Sequence, residues 1–155
     1  MSIKIYKPIT LHDWSTARAL IQEYLNWLDL DISHQNVDDE LANLKDKFSE
    51  DGGGFFLASL NNVPIGCVGF WKFSDTECEM KRLYVSPKSQ GHGIGKQLIH
   101  AVIEEARKQK YKTLLLDTIP KMVTAQQIYS RMGFVDTYVY RRNIIPDTRY
   151  LNLTL

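Results

Sequence analysis

A chain of 155 residues is long enough to bury a core without disulfide or metal staples, and residues 1–155 are expected to form a single domain. With 44% hydrophobic and 24% charged residues the chain is too apolar for disorder, and a net charge of +1 gives no field that would draw it to nucleic acid or an anionic membrane. No apolar run is long enough to span a bilayer and Met1 to Thr10 lacks the pattern of a secretory signal, so a cytoplasmic location is expected.

In chain order, Ile3 to Ile9 reads as a short strand ending at the Pro8 turn, where Thr10 or Asp13 caps the next helix. From Leu11 to Trp27 the apolar residues recur at steps of three and four, which is helical periodicity. A polar break from Asp29 to Asn36 leads to a second, weaker helix over Val37 to Phe48, closed by Gly52, Gly53 and Gly54. Three strand-like runs follow, Phe55 to Leu60, Val63 to Phe73 and Glu77 to Val85, whose short connections dictate antiparallel hairpins. A helix from about Gly95 to Lys110 comes next, its buried stripe carried by Leu98, Ile99, Val102, Ile103 and Ala106, with Glu104 and Lys108 as a surface pair. Thr113 to Thr118 reads as a buried strand, parallel to Glu77 to Val85 because a helix joins them. A last helix, Met122 to Met132, is capped by Gly133, and Phe134 to Tyr140 and Arg149 to Leu155 finish as strands. The expected architecture is α/β: a mixed sheet of six to seven strands, antiparallel first and parallel in its middle, flanked by about four helices.

Cys67 and Cys78 lie in apolar or strand-like stretches without a C-x-x-C spacing and read as buried thiols. His12, His34, His92 and His100 are scattered, read as surface residues, and offer no metal-binding pattern, so no metal is expected.

The stretch richest in chemistry is E-M-K-R-L-Y-V-S-P-K-S-Q-G-H-G-I-G, from Glu79 to Gly95. A strand feeds a loop with glycines at 91, 93 and 95, and then a helix begins. The first turn of a helix exposes unpaired N–H groups at the positive end of its dipole, which makes an anion site. Lys88 and Lys96 add positive charge. A dinucleotide fingerprint fails because the third glycine comes one residue early, and a P-loop fails because Gln90 and Gln97 stand where it needs glycine and a hydroxyl. The residues alone leave two possibilities, a phosphate cradle or a turn that lets strand and helix pack.

Gln90 to Gly95 resembles the Q/R-x-x-G-x-G/A signature of the GCN5-related N-acetyltransferase superfamily, and Leu83-Tyr84-Val85 is similar to the strand that precedes it there. Ala125 to Phe134 resembles that family's A-x-x-x-Y-x-x-x-G-F segment. The resemblance implies that Gln90, Gly91, His92, Gly93, Ile94, Gly95 and Lys96 surround the pyrophosphate of acetyl-coenzyme A, with the pantetheine along Leu83, Tyr84 and Val85. It implies transfer of an acetyl group to a primary amine of a small molecule or peptide. It further implies Glu79 as general base, directly or through one water, and Tyr129 as general acid towards the departing thiolate. A base is needed because only about one lysine-like amine in a few thousand is unprotonated at pH 7. Each residue also has a plainer part: Glu79 and Lys81 share a strand face, where an ion pair would weaken the base, and Tyr129 fits the core beside Ile128 and Met132. Met122 stands where many relatives carry asparagine, which removes one hydrogen bond to the coenzyme or the catalytic centre.

The acceptor site of this family is built by the first two helices, their connection and the last two strands. Asp29 and Asp31 there would attract a cationic amine, Arg141, Arg142 and Arg149 would hold a carboxylate, and Trp27, Tyr138 and Tyr140 would line an apolar pocket. Pairing of two copies through the late strands is a further expectation of the resemblance. The competing function is a sensor that binds an acyl-coenzyme A without turning it over.

Overall fold

The computed structural model describes residues 1–29, 37–49, 51–143 and 145–155. Its elements are β1 (Ile3–Tyr6), α1 (Leu11–Leu28), α2 (Val37–Ala42), α3 (Leu44–Ser49), β2 (Gly54–Leu60), β3 (Val63–Lys72), β4 (Glu77–Val85), α4 (Ile94–Lys108), β5 (Thr113–Thr118), α5 (Val123–Arg131), β6 (Val135–Asp136) and β7 (Arg149–Thr154). The strands form one sheet in the order β1-β2-β3-β4-β5-β7-β6. Only β4 and β5 run parallel, joined by the α4 crossover; every other described pair is antiparallel. This is the mixed sheet expected from the sequence.

The sheet is buried on both faces. On one, α4 and α5 press Leu98, Ile99, Val102, Ile103 and Tyr129 onto Val68, Phe70, Met80, Leu114 and Leu116. On the other, α1 and α3 set Trp14, Ala17, Ile21, Leu44 and Phe48 against Phe55, Leu57, Cys67 and Tyr84. α1 begins on a capping box: the Asp13 amide donates to Thr10 Oγ1 at 3.0 Å, and Asp13 Oδ2 accepts from the Thr10 amide at 3.1 Å.

Several boundaries differ from the sequence expectation for local reasons. β1 stops at Tyr6, and past Pro8, which has no amide hydrogen, the Ile9 amide turns to Asp13 Oδ2. The helix expected over Val37 to Phe48 is interrupted at Asn43, whose side-chain amide bonds the Asp39 carbonyl and carboxylate and so competes with the helical ladder. That division makes five α-helices among the described residues. On α4, Glu104 pairs with Arg107 at 3.3 Å, not with Lys108. The strand expected over Phe134 to Tyr140 is confined to Val135–Asp136, because the chain then leaves the sheet to carry Tyr140 over Glu79. Gly133, with φ of +95°, provides the left-handed turn between α5 and β6. Both cysteines are buried, and His12, His92 and His100 are exposed; His34 lies outside the described residues. Among the described residues no helix is long and apolar enough to cross a membrane.

Candidate active site

The parallel pair that should run the length of β4 is short. β4 and β5 are in register only at Glu77 with Thr113, Cys78 with Leu114 and Glu79 with Leu115. Beyond Glu79 the strands separate, and main-chain groups of Met80 to Val85 on that edge lose their sheet partners. The cause lies in β4. Opposite β3, Gly69 faces Lys81 and Cys67 faces Tyr84, so Arg82 and Leu83 together oppose Val68. This bulge places Arg82 at φ +61°, a left-handed conformation that costs a non-glycine residue on the order of 1 kcal/mol or more.

The fold holds the bulge from both sides. Arg82 reaches α2 and donates from Nε and Nη2 to the two Glu40 oxygens, each at 2.8 Å, with both side chains almost fully buried. Burial opposes the charge on Arg82, but the bonds and charge of Glu40 outweigh it and raise the guanidinium pKa. The Arg82 carbonyl accepts from the Cys67 thiol at 3.4 Å. Because the bulge shifts the alternation, Leu83 and Val85 turn towards α4 while Tyr84 packs on the α1 side. The Tyr84 hydroxyl donates to Glu23 Oε2 at 2.6 Å.

Where the strands part, a groove of about 350 Å³ runs from Leu83, Tyr84 and Val85 past Gln90, Gly91 and Gly93 to Gly95, with Lys121 to Ala125 and Ile128 as its far wall. The glycine loop leads into α4, whose first residue is Ile94. Gly91 and Gly93 have φ of +89° and +74°, and a Cβ added at either would meet nothing within 4 Å. These glycines are therefore required by backbone conformation, not by crowding, and the loop presents its main chain to open space at a helix start. Gln90 donates to the Val85 carbonyl at 3.2 Å, tying loop to strand. His92 and Lys96 are exposed and do not line the groove. Lys121 closes the mouth by donating to the carbonyls of Trp27 and Leu28 at 2.8 and 2.9 Å, while its ammonium stands 4.8 Å from the Trp27 ring. It thereby caps α1, whose last turn has no basic residue.

A second, smaller cavity fills the fork between the strands, lined among others by Lys81, Leu83, Asp117, Thr118, Met122 and Tyr129. Tyr129 is buried there and its pKa is raised by burial, so its hydroxyl stays protonated. Thr118 Oγ1 is buried without a hydrogen-bond partner among the described residues, an unfilled polar position on the wall of the same cavity. Met122, at the N-cap of α5, borders both cavities and contributes no side-chain cap bond, so the bond lost with asparagine is not replaced by its side chain.

Glu79 sits at the apex of the fork and has no exposed surface. One oxygen accepts from Trp71 Nε1 at 2.9 Å and from Arg141 Nη2; the other accepts from the Tyr140 hydroxyl at 2.9 Å, and Lys81 Nζ stands 3.9 Å away. The ion pair with Lys81 expected from strand period is present, but it is the weakest of four contacts. Glu79 lines none of the three cavities.

Tyr140, Arg141, Arg142, Asn143 and Tyr150 line an open cavity with the turn before β7. Arg149 is elsewhere, paired with Asp136 at 3.2 Å and with Gln126. Tyr138 is exposed at the edge, and Asp29 ends α1 in a left-handed C-cap; Asp31 lies outside the described residues. Asp117, Lys121 and Glu40 are parts of the site that the sequence reading does not single out. For Asp117 a signal was available: a carboxylate directly after Leu114-Leu115-Leu116 in a buried strand.

The mixed sheet thus opens between its two parallel strands at a left-handed glycine loop and a helix start, an arrangement suited to an anionic ligand. The acetyltransferase (GNAT) family profile matches residues 16–134. The chain belongs to that family, the GCN5-related N-acetyltransferases. It is 37% identical to an uncharacterised N-acetyltransferase of Schizosaccharomyces pombe over 92% of this chain and 89% of the relative. A GNAT-family acetyltransferase structure from Staphylococcus aureus superposes with a TM-score of 0.83 at 22% identity over 99% of both chains. A GNAT acetyltransferase of Elizabethkingia anophelis with acetyl-CoA bound superposes with a TM-score of 0.65 at 24% identity, covering 99% of this chain and 98% of that one.

Proposed function

We propose that the protein transfers the acetyl group of acetyl-coenzyme A directly to a primary amine of a small molecule or peptide, acting in the cytoplasm with residues 1–155 as one catalytic domain. The observation that carries this is the opening of the β4–β5 pair after Glu79 and Leu115, which joins the glycine-loop groove to a buried fork containing a protonated tyrosine and a carboxylate. The groove suits the coenzyme: amides at the α4 start face its pyrophosphate, the bare edge of β4 faces its pantetheine amides, and Thr118 Oγ1 offers a polar contact deeper in.

Direct transfer is supported by the state of the thiols. Burial raises the pKa of both, Cys78 to about 12 and Cys67 further, which leaves neither as a thiolate able to take the acetyl group first. The amine nitrogen attacks the thioester carbonyl, the carbon–sulfur bond breaks, and Tyr129 gives its proton to the departing sulfur. Glu79, the general base that the resemblance implies, reaches the acceptor side through the Tyr140 hydroxyl, which donates to it at 2.9 Å. Thiol release from acetyl-coenzyme A across a panel of polyamines, amino acids and lysine peptides tests the reading. Amine-dependent release is expected, and binding without release from any amine would favour the sensor.

A further inference from the structure

Two carboxylates stand at the fork, and they differ in what they have left to offer. Glu79 has both oxygens engaged by Trp71, Arg141 and Tyr140, is fully buried, and lines none of the three cavities described. Asp117 lies two residues beyond Leu115, the last β5 position paired with β4, on the part of the strand that has left β4 while staying paired with β7. Its side chain lines the fork together with Tyr129. Its nearest partners are distant: Lys81 Nζ at 3.7 Å and Asn143 Nδ2 at 3.5 Å. Good N–H···O bonds are about 2.7–3.2 Å long, so neither contact saturates the carboxylate. The sheet also fixes its direction. Asp117 follows Leu115 on the face that carries Glu79 and Lys81, whereas Leu114 and Leu116 pack towards α4.

Resting on the acetyltransfer reading, we infer that Asp117 is the catalytic carboxylate that meets the acceptor nitrogen. It binds the incoming ammonium and accepts the proton that must leave as the carbon–nitrogen bond forms. The carbon–sulfur bond then breaks, and the thiolate takes its proton from Tyr129. Glu79 is a positioning residue: it holds Tyr140 and Arg141 over the acceptor side. Lys81, between Glu79 at 3.9 Å and Asp117 at 3.7 Å, keeps the two carboxylates apart in charge until an acceptor cation takes up the second.

The test requires no knowledge of the natural amine. S-(2-aminoethyl)-coenzyme A carries an ammonium close to where an attacking amine would stand, and S-ethyl-coenzyme A lacks only that group. Calorimetry on the wild-type protein is expected to show the aminoethyl probe binding about tenfold more tightly, the scale of one charge-assisted hydrogen bond. Asp117→Asn is expected to bring the ratio to about one while the affinity for the ethyl probe holds, which also shows that the variant is folded. Glu79→Gln is expected to keep the preference. A ratio near one in the wild type, a preference that survives Asp117→Asn, or one lost in a Glu79→Gln protein that still binds the ethyl probe would each overturn the assignment. Failure of the wild type to bind either probe would instead remove the coenzyme reading on which it rests.

Discussion

Tyr129 is held in the fork by the ring of Phe134, 5.4 Å away, and by the α5–sheet core, in surroundings that favour a neutral phenol. Tyr129→Phe keeps the ring and its packing and removes the proton donor. Turnover is expected to fall on the order of 10²-fold, with acetyl-coenzyme A affinity unchanged in calorimetry. Because burial raises this pKa, the pH–rate profile should show no loss from Tyr129 ionisation up to about pH 10, the ordinary tyrosine value. Undiminished turnover in the variant would remove the acid role. The A-x-x-x-Y resemblance points to this residue, which α5 brings into the fork. It could not have shown Glu79 as a four-contact hub, since Trp71, Tyr140 and Arg141 converge on it from a hairpin and a loop far apart in sequence.

At the scale of elements, the active cleft depends on one irregular residue in a strand. Arg82 with its left-handed φ is kept in place by Glu40, 42 positions away, and that tie binds α2 to the opening of the sheet. Glu40→Ala removes one half of a buried ion pair and leaves the guanidinium short of its main acceptor. A stability loss of about 3 kcal/mol is expected in denaturant unfolding, with weaker coenzyme binding as the bulge relaxes. Wild-type stability in Glu40→Ala would show that the pair does not hold the bulge. Thr10→Ala, which opens the capping box at the other end of this layer, should cost only about 1 kcal/mol and leave the coenzyme site intact. Helix and strand identities were legible throughout because periodicity reports burial, and burial here is two-sided and regular. The division at Asn43 and the early end of β6 were not, because each depends on a single polar side chain choosing a partner: Asn43 takes Asp39, and Tyr140 takes Glu79. The bulge was hidden for the same reason, since Lys81, Arg82, Leu83 and Tyr84 continue a plausible strand in sequence.

Across the whole molecule, burial also raises the pKa of Tyr24, Tyr129 and Tyr140. A group whose folded pKa lies above its unfolded value contributes stability that is complete below the unfolded value, about 10 for tyrosine, and is lost as pH rises beyond it. The melting temperature is therefore expected to show no tyrosine-linked decline between pH 7 and about 9 and to fall above about pH 10. A tyrosine-linked fall already below pH 9 would contradict the neutral assignment of these phenols. The account as a whole turns on whether the groove under the glycine loop takes the coenzyme. The most direct measurement is calorimetry with acetyl-coenzyme A on the wild type and on Gly93→Asp, followed by thiol release from the same samples. Aspartate is among the few side chains that tolerate a left-handed φ, so the variant should fold, but it aims a carboxylate at the pyrophosphate. The account predicts saturable binding and amine-dependent release by the wild type and loss of both in Gly93→Asp. No binding by the wild type, or equal binding by the two proteins, would contradict it.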